Sequence, residues 1–243
     1  MSSSSRRRSR GRRRPTWGRR LWWLLFNVAA LVGLLGVVLV LPWRWIAPPT
    51  TAFMLRAQLD AKGDGNATVH RRWLSWHEIS PYLAIAVVAA EDQKFPSHHG
   101  FDFESISRAV RDRFSRPRGA STISQQVAKN LFLWRGRSFF RKGLEAYLTV
   151  LIECLWPKRR ILEIYLNVAE FGPGVFGAGA ASELLLGKRA GQLTLEEAAL
   201  LAAVLPSPGR MSPARPSDYL RKRAIEIEDE VRNLGGTGYL IDL

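Results

Sequence analysis

A single cysteine, Cys154, leaves this chain of 243 residues no intrachain disulfide and no multi-cysteine metal site. Four histidines, His70, His77, His98 and His99, show no H-E-x-x-H or comparable ligand spacing. Acid is missing where base is densest: the first twenty residues hold nine arginines and no aspartate or glutamate. Alternating strand patterns are few and no repeat period is visible. An apolar fraction of 47% against 23% charged excludes a disordered chain. What the chain has in excess is positive charge, with 36 Lys and Arg against 21 Asp and Glu, a net +15. Such a surplus implies an anionic partner: nucleic acid, an anionic membrane surface or a phosphate-bearing substrate. Beyond residue 20 it shrinks to 27 basic against 21 acidic side chains.

Residues 21–43 read LWWLLFNVAALVGLLGVVLVLPW, without a charge and with Asn27 as the one strongly polar side chain. At 1.5 Å per residue a helix of this length spans the roughly 30 Å hydrocarbon core of a bilayer. Trp22, Trp23, Trp43 and Trp45 mark its two ends, where amphipathic rings prefer the interface. The stretch exceeds the roughly 7–15 residues of a signal-peptide core, and no A-x-A site follows it, so an uncleaved anchor is expected. Arginines cluster before the span, and only Arg44 and Arg56 follow it closely. The positive-inside rule then places the N-terminus in the cytoplasm and residues beyond about 46 outside. The Arg run reads as an orientation signal that also meets anionic lipid, not as a nucleic-acid arm.

The expected organisation is a basic tail over 1–20, a transmembrane helix over 21–43, a linker over 44–60 marked by Pro48-Pro49, and a mainly α domain over 61–243. Pro81 opens an apolar helix to Glu91. A helix starting at Asp102 or Ser105 runs to about Phe114. Thr122 with Gln125, and Thr194 with Glu197, form capping boxes that open two further helices. Long amphipathic runs cover 139–156 and 158–169, a charged helix starts at Ser217, and 68–73 is a candidate extended piece. Cys154 sits in an apolar helical run and is expected to be buried. Residues 235–243 are expected to be loosely ordered.

The chemistry concentrates in three places. Residues 90–102 read AEDQKFPSHHGFD and carry Glu91 and Asp92 out of the apolar helix into a loop. A carboxylate at the edge of a buried apolar helix is partly desolvated, which raises its pKa toward the working range of a base. Residues 118–131 read RGASTISQQVAKNL, where a helix N-terminus and the polar side chains of Gln125, Gln126, Lys129 and Asn130 suit an anion, though all four cannot share one face. Arg141 and Glu145 are i, i+4 and share a helical face, with Glu145 at the edge of an apolar stripe. Between residues 105 and 144, ten basic side chains, from Arg108 to Lys142, meet one acid, Asp112. Such a field suits a diphosphate at a membrane surface better than a neutral sugar. Two carboxylates embedded in a basic, helical, membrane-tethered domain point to glycosyl chemistry on a lipid-linked diphosphate.

These residues resemble the monofunctional biosynthetic peptidoglycan glycosyltransferases, which are similar to the glycosyltransferase domain of bifunctional penicillin-binding proteins. The resemblance runs from about Ile79 to Pro216. It rests on E-D-x-x-F-x-x-H-x-G at Glu91, Asp92, Phe95, His98 and Gly100, and on G-x-S-T-I-x-Q-Q-x-x-K-N from Gly119 to Asn130. R-K-x-x-E follows at Arg141, Lys142 and Glu145, then I-L-E-x-Y-L-N from Ile161 to Asn167. Two departures stand out: Leu185-Leu186 replaces an aromatic pair before Gly187-Lys188, and Glu226, Glu228, Asp229 and Glu230 cluster near the C-terminus.

The resemblance implies a lysozyme-like, two-lobed domain on one N-terminal transmembrane helix in the cell inner membrane. It implies lipid II and the growing glycan strand as substrates, β-1,4 linkage with inversion, and release of undecaprenyl diphosphate. Glu91 takes the part of the general base and Glu145 assists on the donor side. Lys129, Arg141 and Lys142 stabilise the leaving group, while Asp92, Ser121, Gln125, Gln126 and Asn130 contact substrate. His98 is expected to hold the loop after Glu91. A divalent cation, Mg²⁺ or Mn²⁺, is implied as a transient phosphate clamp, with no metal-binding residues identified. No Ser-x-x-Lys penicillin-binding domain is seen after the matched region, so strand polymerisation without peptide cross-linking is expected. The lone anchor helix offers a lateral contact for other cell-wall synthesis proteins. The segment 112–120 (DRFSRPRGA) is expected to be a mobile loop over the site. Two rivals remain at this level: a membrane-anchored lytic glycosidase, and a non-catalytic module that binds anionic lipid.

Overall fold

The computed structural model describes residues 17–63, 68–105, 107, 121–136 and 138–243. Most of the basic tail, the expected continuation of the helix near 105, the segment 112–120, and the arginines at 108, 111, 113, 116, 118 and 137 lie outside the described residues. Contacts divide the chain into two units, with the boundary between Leu39 and Val40.

The first unit carries helix α1, Trp17–Val40, as far as Leu39, and a 3-10 turn at Leu41–Arg44 lies in the second. Among the described residues this is the one helix long and apolar enough to cross a membrane. Its apolar side chains, among them Leu24, Leu34 and Leu35, are exposed, as those of a helix solvated by lipid would be.

The second unit, Val40–Leu243, is mainly helical. The helices are α2 (Ala52–Gly63), α3 (Pro81–Glu91), α4 (Ile123–Phe132), α5 (Phe139–Leu155), α6 (Lys158–Val168), α7 (Gly177–Leu186), α8 (Leu195–Val204) and α9 (Asp218–Asn233). Helix α3 is apolar all round, and Leu83 to Ala89 are buried without interruption. A helix with no polar face belongs in a core, and α3 packs against α8 and α9. Helices α4, α5 and α6 form a second packed group. Helix starts are where the capping residues put them: Ser80, Thr122, Ser138, Thr194 and Ser217 each accept a backbone N–H of the following turn.

A small sheet joins distant parts of this unit in the order β1-β3-β2, with β1 at His70–Arg71, β2 at Glu170–Gly172 and β3 at Val175–Phe176. Strands β1 and β3 are parallel, with His70 opposite Val175; β2 and β3 are antiparallel. Asn167 sits beside it as a clamp. Its Oδ1 accepts the Leu74 N–H at 2.8 Å, and its Nδ2 donates to the carbonyls of Leu74 at 2.9 Å and Glu163 at 2.8 Å. Gly177 closes on the same point with φ +81°, where an added Cβ would lie 2.6 Å from the Asn167 carbonyl oxygen. Only glycine fits there.

Three expectations are corrected. The stretch 44–60 is not a free linker: Arg160 donates to the carbonyls of Trp43 at 3.0 Å and Ile46 at 2.9 Å, Arg71 grips those of Pro48 and Pro49, and 52–60 are helical. Cys154 is exposed, because α5 buries Glu145, Leu148, Thr149 and Ile152, and the 3.6-residue period turns Cys154 to the other side. Residues 235–243 are not loose. A 3-10 turn at Gly236–Leu240 buries Leu240, and the Tyr239 hydroxyl donates to the Gln93 carbonyl at 2.9 Å.

Replacing Asn167 with Ala strands the buried N–H and C=O of Leu74. The expected loss is about 2–4 kcal/mol, read from chemical unfolding in detergent. A loss under about 0.5 kcal/mol would show that the clamp does not hold this unit together.

Candidate active site

Helix α3 ends at Glu91, and the next residue leaves it. The two adjacent acids then face different surroundings. The Asp92 carboxylate is buried and turns to the start of α4. Its Oδ2 accepts the Ile123 N–H at 2.9 Å, and His98 Nε2 lies 2.9 Å from each Asp92 oxygen. The Gly100 N–H donates to His98 Nδ1 at 3.1 Å. That contact makes Nδ1 the acceptor, so Nε2 carries the proton and donates to Asp92. The expectation that His98 holds the loop is met by this geometry.

Glu91 faces the other way, onto the side of α4. Its Oε2 accepts from Gln126 Nε2 at 2.7 Å, and the Tyr165 hydroxyl of α6 lies 3.2 Å from Gln126 Oε1. Tyr165 is buried, and burial together with the nearby Glu91 and Asp92 keeps its hydroxyl pKa well above the ordinary value. It therefore stays a neutral donor, which fixes the Gln126 amide with its N–H toward Glu91. Burial pushes the Glu91 carboxyl above the ordinary glutamate range. The Gln126 amide, Lys129 and Arg223 pull it partly back, and Asp92 adds to the rise. This is the environment of a carboxylate tuned toward neutral pH, as a general base requires.

One turn beyond Gln126, on the same side of α4, stands Lys129. Burial lowers its pKa, Glu145 and Glu91 oppose that, and Arg141 and Lys142 add to it. Glu145 is almost fully buried and both its oxygens are taken. Arg141 Nη1 donates to Oε2 at 2.8 Å, and the Lys142 ammonium donates to Oε1. Glu145 thus holds two cations within the electrostatic reach of Lys129. The Nε of Arg141 is buried without a partner among the described residues, so the guanidinium keeps an unused donor.

The structure brings Glu91, Gln126, Lys129, Arg141, Lys142 and Glu145 into one electrostatic neighbourhood. Asp92 and Gln125, also expected to contact substrate, have inward tasks instead. Gln125 is buried and closes the capping box through Oε1, which accepts the Thr122 N–H at 3.0 Å. Ser121, at the start of α4, is half-buried and Asn130 is buried.

Sequence reading missed Tyr165 and Arg223. Tyr165 lies inside a quoted motif, but its role appears only once α6 packs on α4. Arg223 comes from α9, far along the chain. The acidic cluster beside it leaves the only trace: Arg223 Nη1 lies 3.1 Å from Glu226 and 3.3 Å from Glu230, while Arg232 pairs with Glu228 and Asp229. The departure noted near the C-terminus is therefore largely an internal ion-pair network that positions a cation near Glu91.

No group of three or more His, Cys, Asp or Glu that could hold a metal ion occurs among the described residues. Both oxygens of Glu145 are occupied by cations, so the described residues do not form a resident cage for a divalent ion.

A desolvated carboxylate beside a cluster of fixed cations is a site for transferring a group away from an anionic leaving group. The chain belongs to the Transglycosylase family, whose match covers residues 59–232. It is 54% identical over 227 residues to a biosynthetic peptidoglycan transglycosylase of Xanthomonas campestris pv. campestris, covering 91% of this chain and 92% of that protein. It is 50% identical over 229 residues to a protein of the same name from Pseudomonas aeruginosa, covering 93% and 97%. The family match extends past the quoted motifs at both ends and takes in the last residues of α2 and nearly all of α9.

A carboxylate with a raised pKa opposes folding once it is ionised. Its protonated form suits the fold, so that contribution is present below the unfolded pKa and lost as pH rises through the folded one. Glu91→Gln is therefore expected to raise the thermal midpoint at pH 7 and to lose that advantage near pH 3. A midpoint lowered at pH 7 would contradict the burial argument.

Proposed function

We propose that this protein is a peptidoglycan glycan-strand polymerase that joins lipid II units by β-1,4 bonds, with inversion and release of undecaprenyl diphosphate. The observation that carries the reading is the pairing of a desolvated, amide-held Glu91 with the cations Lys129, Arg141 and Lys142. The names of its relatives support the same activity class.

In this reading Glu91 accepts the proton of the acceptor sugar's 4-hydroxyl. The freed oxygen forms a bond to the donor's anomeric carbon as the bond from that carbon to the diphosphate oxygen breaks. The electron pair leaves with the diphosphate, and attack from the opposite face inverts the carbon. The logic is that of an inverting glycosidase with a sugar hydroxyl in place of water. Lys129, Arg141 and Lys142 meet the charge that builds on the leaving group, and Glu145 fixes the latter two. Gln126, set by Tyr165, aims the base. Ser121 and Asn130 contact substrate beside it. A divalent cation, Mg²⁺ or Mn²⁺, enters with the substrate's phosphates instead of residing on the protein, and no step is assigned to it.

The apolar α1 and the arginines before it support a single-pass inner-membrane protein with a cytoplasmic N-terminus and a periplasmic catalytic domain. Membrane lipid and other cell-wall synthesis proteins are its expected neighbours. A lytic glycosidase also uses a carboxyl of raised pKa, but it has no use for three cations at a leaving diphosphate.

The test is polymerisation of labelled lipid II in detergent with Mg²⁺. Wild type should lengthen glycan, and Glu91→Gln should be slower by at least about 10²-fold. Glu145→Gln should lose activity as its two cations lose their anchor. Shortening of preformed glycan, or no product from folded wild type, would overturn the reading.

A further inference from the structure

Lys129 is held in a particular way. Among the described residues its ammonium has no carboxylate or carbonyl within hydrogen-bond or ion-pair distance, although Glu145 and Glu91 both act on it through space. What it does meet is an aromatic ring: Nζ lies 5.7 Å from the centroid of Phe53. The Arg135 guanidinium lies 5.1 Å from the same centroid and is tied to Glu170 Oε2 at 2.6 Å. Phe53 belongs to α2, outside every motif quoted above and outside the family match.

The ring is rigidly placed. The Met54 N–H donates to Thr51 Oγ1 at 3.1 Å at the start of α2, and Met54 and Thr51 are each 1% exposed. Arg71 holds the carbonyls of Pro48 and Pro49 just before it. Helix α2 packs on α4, which carries Lys129. A cation over an aromatic face is attracted by the ring quadrupole, more strongly where water is excluded. The chemical consequence is specific. A carboxylate partner would neutralise Lys129 and compete with an incoming anion. A ring steadies the ammonium and leaves its charge unpaired.

We propose that Phe53 is a positioning residue of the active site, whose π face holds Lys129 in place, charged and unneutralised, to receive the diphosphate of the substrate. This inference rests on the reading of the site as one that acts on a diphosphate leaving group. It also gives the stretch first expected to be a linker a part in the chemistry.

The test separates the ring's electrostatics from its shape. Phe53 in the full-length chain is replaced in turn by 4-fluoro-, 3,4-difluoro- and 3,4,5-trifluorophenylalanine, which drain the π face with little change in volume. Each protein is assayed in detergent with lipid II and Mg²⁺, and its thermal midpoint is recorded. The expected result is a stepwise fall in kcat/KM, about three- to tenfold across the series, at a constant midpoint. Phe53→Leu should fall at least as far. A flat kcat/KM along the series with an active wild type overturns the inference alone. An inactive wild type overturns the reading of the site and the inference with it.

Discussion

The Asp92 carboxylate holds together the two helices on which the site is built. It takes the first N–H of α4 while standing at the end of α3. A helix start carries unpaired N–H groups and partial positive charge, so a buried carboxylate is a natural partner for it. His98 completes the fastener, and Gly100 extends it, since its carbonyl accepts the Thr122 hydroxyl at 2.7 Å. Gly100 has φ +86°, and an added Cβ would meet Thr149 at 2.8 Å. With Asp92 fixed, Glu91, one residue earlier, has one available direction, the side of α4 where Gln126 waits. Neighbouring acids thus divide the labour. One is structural and fully partnered; the other is desolvated and met by a single amide.

The second constraint is electrostatic. Burying Glu145 alone would be costly, and burying it between Arg141 and Lys142 offsets the desolvation while setting their positions. The same logic recurs at Glu153, which accepts from Ser124 of α4 and from Lys158 Nζ of α6 at 2.9 Å. These acids tie basic side chains to the α4–α6 group, so the positive field that the proposed reaction calls for is built into the fold. Lys129 is the exception, steadied without a counter-ion.

Much of this was legible in the sequence because it is local. The capping boxes at Thr122 and Thr194, the Pro81 start and the stop before Pro157 depend on residues three or four apart, and the helices begin and end there. Glu91, Glu145 and the R-K-x-x-E turn could be selected by charge against an apolar background. What was not legible depends on contacts across the fold. Gln125 and Gln126 are equivalent in sequence, yet the helical period sends one into the core and the other to Glu91. Arg223 and Phe53 reach the site from opposite ends of the domain. Cys154 sits in an apolar run, but on the exposed face of α5. The tail at 235–243 is rich in glycine, and its order comes from Leu240 and Tyr239 docking.

The central claim is that Glu91 acts as a base whose proton affinity is set by burial and by the Gln126 amide. The most direct measurement is the pH dependence of lipid II polymerisation by wild type and Gln126→Leu. Glu91 must be ionised to accept a proton, so activity should rise with pH along a limb above the ordinary glutamate value of about 4.3. Removing the amide removes a donor to the ionised form, raises the pKa further and should move that limb to higher pH. A limb at the ordinary glutamate position, unmoved in the variant, would contradict the account.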